Sequence, residues 1–267
     1  MSAFTILIAR QPVQAAKVDT VTTYSNAMQK SIKVVVITPD NYDKHKTYPV
    51  LYILHGYGGN YAGWVSDFPV VKDFADDHQT ILVCADGGVS SWYFDSPVDS
   101  AWKYETYVAI ELVSWIDRTY ATIKSKKGRA IMGLSMGGHG ALYLAFKHQE
   151  VFGAAGSMSG GVDIRPFPEN WNISDKLGKI KEHPNNWEEH TVINLIGLLG
   201  KDYPALLIDC GTSDFFYKVN VDFHNKLLEN HISHDFIVRD GGHDLFYWTN
   251  AIDYQLLFMH LYFRKSL

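Results

Sequence analysis

Four stretches of this chain are apolar through their whole strand-like length, and each runs out into glycine: YPVLYILHGYGG, TILVCADGG, GRAIMGLSMGG and PALLIDCGTSD. A strand with one face in water alternates apolar and polar residues. One that is apolar throughout must be covered on both faces, which is the condition of a strand inside a parallel sheet between layers of helices. VFGAAGSMSGG and HDFIVRDGGH are weaker runs of the same kind, and helix-like stretches separate the six. Ahead of them, KVDTVTTYSN and SIKVVVITPD alternate or are β-branched, which suits an antiparallel pair at a sheet edge. The predicted fold class is α/β, with a mainly parallel central sheet and helices on both faces.

Between the runs the period becomes that of an amphipathic helix. From Tyr104 to Tyr120, apolar Tyr107, Val108, Ile110, Leu112, Val113 and Ile116 are interspersed with Glu105, Glu111 and Asp117. Met136 to Lys147, Tyr217 to Glu229 and Leu245 to Phe263 read likewise. Residues 161–203 break the alternation: they are rich in Trp, Pro, Asn and charge, and too long for a plain loop in a compact domain. We expect them to form a cap beside the functional site. The 267 residues could make one or two domains by length alone. The order of the motifs decides for one domain, residues 17–267, with the cap as an insertion at about 161–203.

Composition removes several classes of function. A net charge of -5, with 24 Lys and Arg residues scattered along the chain, supplies no basic field for a nucleic-acid partner. The two cysteines, Cys84 and Cys210, lie in strand-like runs and point to neither a disulfide framework nor a zinc site. No stretch is apolar for the length of a membrane span. At the start, the apolar run Ala3 to Ala9 and the small residues of Val13-Gln14-Ala15-Ala16 read as the remnant of an export signal over residues 1–16. A secreted or periplasmic location goes with that reading. Arg10 and the lack of a basic residue before the run leave an ordinary N-terminal strand and a cytoplasmic location as the alternative.

Gly133-Leu134-Ser135-Met136-Gly137 is a G-x-S-x-G pattern, weak by itself and strong in its context. A strand-like run ends at it and a helix-like run starts from it, so Ser135 falls on a sharp turn that needs small neighbours and lifts its hydroxyl above the sheet. A serine hydroxyl becomes a nucleophile when a base takes its proton and an acid orients the base. In a strand–turn–helix setting these follow in the order serine, acid, histidine, each after a later strand. Asp214, in the loop past PALLIDC, is the expected acid, ahead of Asp222 and of Asp209, which lies within that strand and reads as structural. Of the 12 histidines, His243 follows the last strand and is the expected base, while His231 and His234 precede it. The negative charge formed on attack at an acyl carbon calls for fixed N–H donors: the backbone of Met136, next after the serine, and that of Tyr57 in LHGYGG. His55 reads as a structural hydrogen-bonding residue. His231-Ile-Ser-His234 lacks a third ligand, and no metal or organic cofactor is expected.

At this point the chain resembles the esterase D, or putative esterase, branch of the α/β-hydrolases. The likeness runs over about residues 30 to 250 and is carried by LHGYGG, SSWYFDSP, YETYVAIEL, GLSMGGHGAL, DCGTSDFFY and GGHDLFYW in the expected order. That group includes tributyrin esterases, feruloyl and acetyl xylan esterases of carbohydrate esterase family 1, S-formylglutathione hydrolases and mycolyltransferases. The resemblance implies an α/β-hydrolase fold, catalytic roles for Ser135, Asp214 and His243, and oxyanion donation from Tyr57 and Met136. The HGYGG form and the cap are closer to the tributyrin and feruloyl esterases. Tyr57, Trp92, Tyr93, Trp171, Trp187, Phe215 and Phe216 are expected around the site, with Trp92, Trp171 and Phe215 as the substrate contacts. Flat aromatic walls suit a cinnamoyl ring or a sugar face, hence a short acyl or feruloyl ester, small or linked to plant polysaccharide. The alternatives are an S-formylglutathione thioesterase, an acyltransferase to a sugar hydroxyl, and a carbohydrate-binding protein without catalysis. A homo-oligomer is left open.

Overall fold

The computed structural model describes residues 15–267, so that all but the last two residues of the expected export segment lie outside the described residues. Eight strands form one sheet: β1 (Lys17–Ser25), β2 (Lys30–Thr38), β3 (Val50–Leu54), β4 (Ile81–Ala85), β5 (Arg129–Leu134), β6 (Ala154–Met158), β7 (Ala205–Gly211) and β8 (Asp235–Arg239). Their order is β1-β2-β4-β3-β5-β6-β7-β8. β1 and β2 run antiparallel to each other, β2 runs antiparallel to β4, and every later pairing is parallel. The mainly parallel sheet and its antiparallel edge thus follow the apolar runs and the β-branched hairpin.

Helices cover both faces. α1 (Gly63–Asp67), α2 (Val70–Asp77) and α9 (Leu245–Ser266) bury Trp64, Val71, Phe74, Leu256 and Met259 against one face, with Phe68 between α1 and α2. α3 (Tyr104–Thr106), α4 (Val113–Thr119), α5 (Met136–Lys147) and α8 (Tyr217–Glu229) pack on the other. Strand residues alternate between the two cores, Val50, Tyr52 and Leu54 facing one and Leu51 and Ile53 the other, as the period of two requires. β3, β4, β5 and β6 are buried at every residue.

Both weaker runs are weak for a physical reason. β6 is small-sided because its neighbours come close: a Cβ on Gly156 would stand 2.0 Å from Gln255 Oε1 of α9. β8 is an edge strand, paired with β7, with no fully buried residue. The run from Tyr104 to Thr119 is helical, but Tyr107–Leu112 in its middle winds as a π-helix. There the Tyr107 hydroxyl pairs with Thr23 Oγ1 at 2.7 Å, and Glu111 accepts from Ser25 Oγ and the Ala27 N–H, so the wide turn docks on the β1–β2 hairpin. Residues 161–203 leave the sheet after β6 and return at β7. They hold α6 (Ile173–Leu177), α7 (Pro184–Glu189) and a 3-10 stretch, Val192–Leu198, whose buried side chains join the core under α5. Cys84 and Cys210 are free and buried, and burial pushes the Cys84 thiol up to about 12. Among the described residues no helix is long and apolar enough to cross a membrane.

Candidate active site

Ser135 stands between the end of β5 and the start of α5 with φ of 55°. That left-handed conformation costs a non-glycine residue about 1–3 kcal/mol and persists where the surroundings impose it. Here they do. A Cβ on Gly137 would lie 2.1 Å from the Leu54 carbonyl oxygen, and one on Gly133 would lie 2.4 Å from the Gly137 carbonyl, so α5 meets the sheet closely only because both side chains are hydrogen. The serine is thereby held above the C-terminal ends of β3 and β5, at the N-terminal end of a 12-residue helix.

Two later loops bring their side chains to it. His243, between β8 and α9, has Nε2 at 2.8 Å from Ser135 Oγ. Its Nδ1 is 2.8 Å from Oδ2 of Asp214, which follows β7. A carboxylate only accepts, so Nδ1 carries the proton and Nε2 is left as acceptor for the serine hydroxyl. Asp214 is buried, and its other oxygen accepts from the Phe216 N–H at 2.7 Å. The imidazole is steadied by rings on two sides, Phe215 at 4.2 Å between centroids and Trp248, edge-on, at 4.9 Å.

Among the described residues, the backbone N–H groups of Tyr57 and Met136 have no hydrogen-bond acceptor. Their neighbours do: Gly58 N donates to Val89 O and Gly59 N to Gly56 O, which fixes the loop around Tyr57. His55 holds the same loop from inside. Its Nε2 accepts from Gly87 N at 2.8 Å, which leaves Nδ1 to donate to Gly56 O at 2.8 Å. The Tyr57 hydroxyl donates to Asn172 Oδ1 at 2.7 Å, joining this loop to residues 161–203.

Ser135 and His243 open into a cavity of about 360 Å³. Tyr57, Trp171 and Phe215 line it, and the last two stack at 5.4 Å with 23° between planes. Trp92 does not line it: only 1% exposed, it stands behind Trp171 and donates from Nε1 to the Trp171 carbonyl at 3.3 Å. Trp92, expected from sequence as a substrate contact, thus stands behind the wall and supports it through Trp171. Tyr93, Trp187 and Phe216 are likewise buried in the core. Trp64, Asp67 and Trp248 line the cavity and were not singled out from sequence. The available signal was position, since α1 directly follows the glycine loop and Trp248 falls five residues after His243.

A wider groove of about 670 Å³ lies at the opposite ends of the strands, between the starts of β7 and β8 and the end of α9, away from Ser135. His234, away from Ser135 too, pairs with His224 at 2.7 Å. Among the described residues no group of three His, Cys, Asp or Glu is placed to hold a metal ion.

The profile of the family described as Putative esterase matches residues 25–259. A ferulic acid esterase of known structure superposes with a TM-score of 0.80 at 31% identity, over 93% of this chain and 98% of its own. An acetyl esterase of Caldicellulosiruptor saccharolyticus is 25% identical over 258 residues, 86% of this chain and 92% of that protein. An esterase of Mycobacterium tuberculosis is 38% identical over 136 residues, 49% of this chain; the match spans 30% of that relative's length.

Proposed function

This chain belongs to the putative esterase family, and from that premise we propose that it is a serine carboxylesterase that works through an acyl-enzyme. Ser135 attacks the ester carbon while His243 Nε2 takes its proton. Asp214, bonded to Nδ1, keeps the ring in the required tautomer and faces the imidazolium as it forms. The oxyanion is met by the N–H groups of Tyr57 and Met136, and losing one such donor raises a barrier by about 3 kcal/mol. The imidazolium returns the proton to the departing alcohol. The same ring then activates the water that releases the acid.

The observation that carries this reading is the unbroken relay Asp214–His243–Ser135, two bonds of 2.8 Å each, opening into the cavity. Residues 161–203 act as its cap. The stacked Trp171 and Phe215 offer a flat apolar wall beside the serine, which supports a feruloyl or short acyl ester, as found on plant polysaccharide. The likeness to a ferulic acid esterase and an acetyl esterase supports the same substrate class.

Rates on p-nitrophenyl acetate, p-nitrophenyl butyrate, methyl ferulate and S-formylglutathione test the substrate class, the first three being expected to outrun the thioester. Faster turnover of S-formylglutathione would overturn it. Ser135→Ala should lose roughly four to six powers of ten in kcat with its fold kept. A variant that retains near-native turnover would remove Ser135 from the mechanism.

A further inference from the structure

His243 sits in a loop, residues 240–244, that contains two adjacent glycines, the first of them with φ of 140°. Glycine has the most backbone freedom to lose, so such a loop is costly to hold still. The relay nevertheless needs the ring within bonding distance of two partners at once. A backbone bond ties the loop to the segment just past β7, Ser213 N to Gly241 O at 2.9 Å, and Thr212 N to Arg239 O, also 2.9 Å, ties the end of β8 to the same segment.

A stronger tie comes from the side chains that flank it. Arg239, the last residue of β8, donates from Nη2 to Asp209 Oδ2 at 2.8 Å. Tyr247, in the first turn of α9, donates its hydroxyl to Asp209 Oδ1 at 2.5 Å. One carboxylate thus holds the chain just before and just after the histidine loop. Asp209 belongs to β7, five residues ahead of Asp214, so anchor and acid hang from the same strand. The position has no exposed surface, where an apolar side chain is the ordinary occupant and a carboxylate is costly unless fully bonded. Burial accordingly raises the Asp209 carboxyl, against the pull of Tyr247 and Arg239.

We propose that Asp209 is a positioning residue, clamping both ends of the 240–244 loop and so setting where His243 meets Ser135. The proposal rests on the reading of Ser135, His243 and Asp214 as a catalytic relay. Tyr247→Phe removes one hydroxyl and keeps the ring, and Asp209→Asn removes the charge that Arg239 and Tyr247 share. With p-nitrophenyl butyrate, each should lower kcat by about tenfold to a hundredfold and move KM by less than about twofold, the signature of a displaced reacting group. The low-field proton resonance of the His243–Asp214 bond should broaden in both, a change that lost packing elsewhere would not cause. Unchanged kcat and an unchanged resonance in a folded Tyr247→Phe, whatever the melting temperature does, would overturn the proposal. If Asp209→Asn does not fold, Tyr247→Phe decides alone. A wild-type protein that neither turns over the ester nor is labelled at Ser135 by a fluorophosphonate would overturn the relay reading, and this proposal with it. Loss of function in the variants alone separates the two.

Discussion

At Gly137 the requirement for a missing side chain is absolute in a way it is not at Gly58. A Cβ at 137 meets the Leu54 carbonyl oxygen at 2.1 Å and the His55 carbonyl oxygen at 2.7 Å, both backbone atoms that cannot swing aside. A Cβ at 58 meets nothing within 4 Å and suffers only from φ of 75°. Gly137→Ala should therefore destabilise by about 3 kcal/mol or more, the upper end of overpacking costs, and should lose activity as the Ser135 turn opens. Gly58→Ala should cost about 1–2 kcal/mol, the ordinary penalty of the left-handed region. Urea unfolding with ester turnover on both variants checks this, and equal costs would remove the close approach as the reason for Gly137. Sequence disclosed Gly133 and Gly137 because sterics and chemistry fall on the same five residues, 133–137. It could not disclose Trp92 in the same way. An aromatic residue in a loop near a site has one signature whether it faces the cavity, as Trp171 does, or the core behind it.

Between elements, Glu105 ties α3 to α5, the helix that starts just after Ser135. Its Oε2 accepts from Tyr143 Oη at 2.9 Å and Lys147 Nζ at 2.8 Å, one turn apart on α5, and its Oε1 faces His148 Nε2 at 3.1 Å. Burial alone would raise the Glu105 carboxyl, but the bonds from His148, Lys147 and Tyr143 outweigh it and hold it at about 2, below the ordinary 4.5. The folded state then binds this proton less tightly than the unfolded chain does. The stabilisation is whole above pH 4.5 and is lost as pH falls from there through about 2. That shift corresponds to at most about 3 kcal/mol. Glu105→Gln should lose most of it at pH 7 and show a shallower fall in stability below pH 4.5 than the wild type. Parallel pH curves for the two would exclude the coupling. The amphipathic period made the Tyr104 to Tyr120 helix legible. It did not reveal the π-wound middle, because one extra residue per turn over six residues barely changes which side chains share a face.

Across the whole molecule, the relay is hung from strands of unequal protection. Ser135 follows β5, buried at every residue in the middle of the sheet, whereas His243 follows β8, an edge strand with none fully buried. The partial exposure that made HDFIVRD a faint strand in the sequence is the same property that makes it the least secured support of the site. The parallel sheet was legible because full burial writes continuous apolar runs. The strand order was not, since neighbours in space such as β3 and β5 are separated in the chain by β4 and its helices. Proteins open locally where buried contacts are few, at lower free energy than global unfolding. Ester turnover should accordingly fail at lower urea than the far-UV circular dichroism signal. The amides of Ile237 and Val238 should exchange faster than those of Tyr52 and Ile131. If the carboxylate of Asp209 clamps the histidine loop, Tyr247→Phe should widen the gap between the two urea curves, because it loosens β8 and α9 from β7 while leaving β3 and β5 untouched. Coincident curves, with β8 amides as protected as those of β5, would mean that the site and the sheet unfold as one unit, and that the edge position of β8 has no bearing on catalysis.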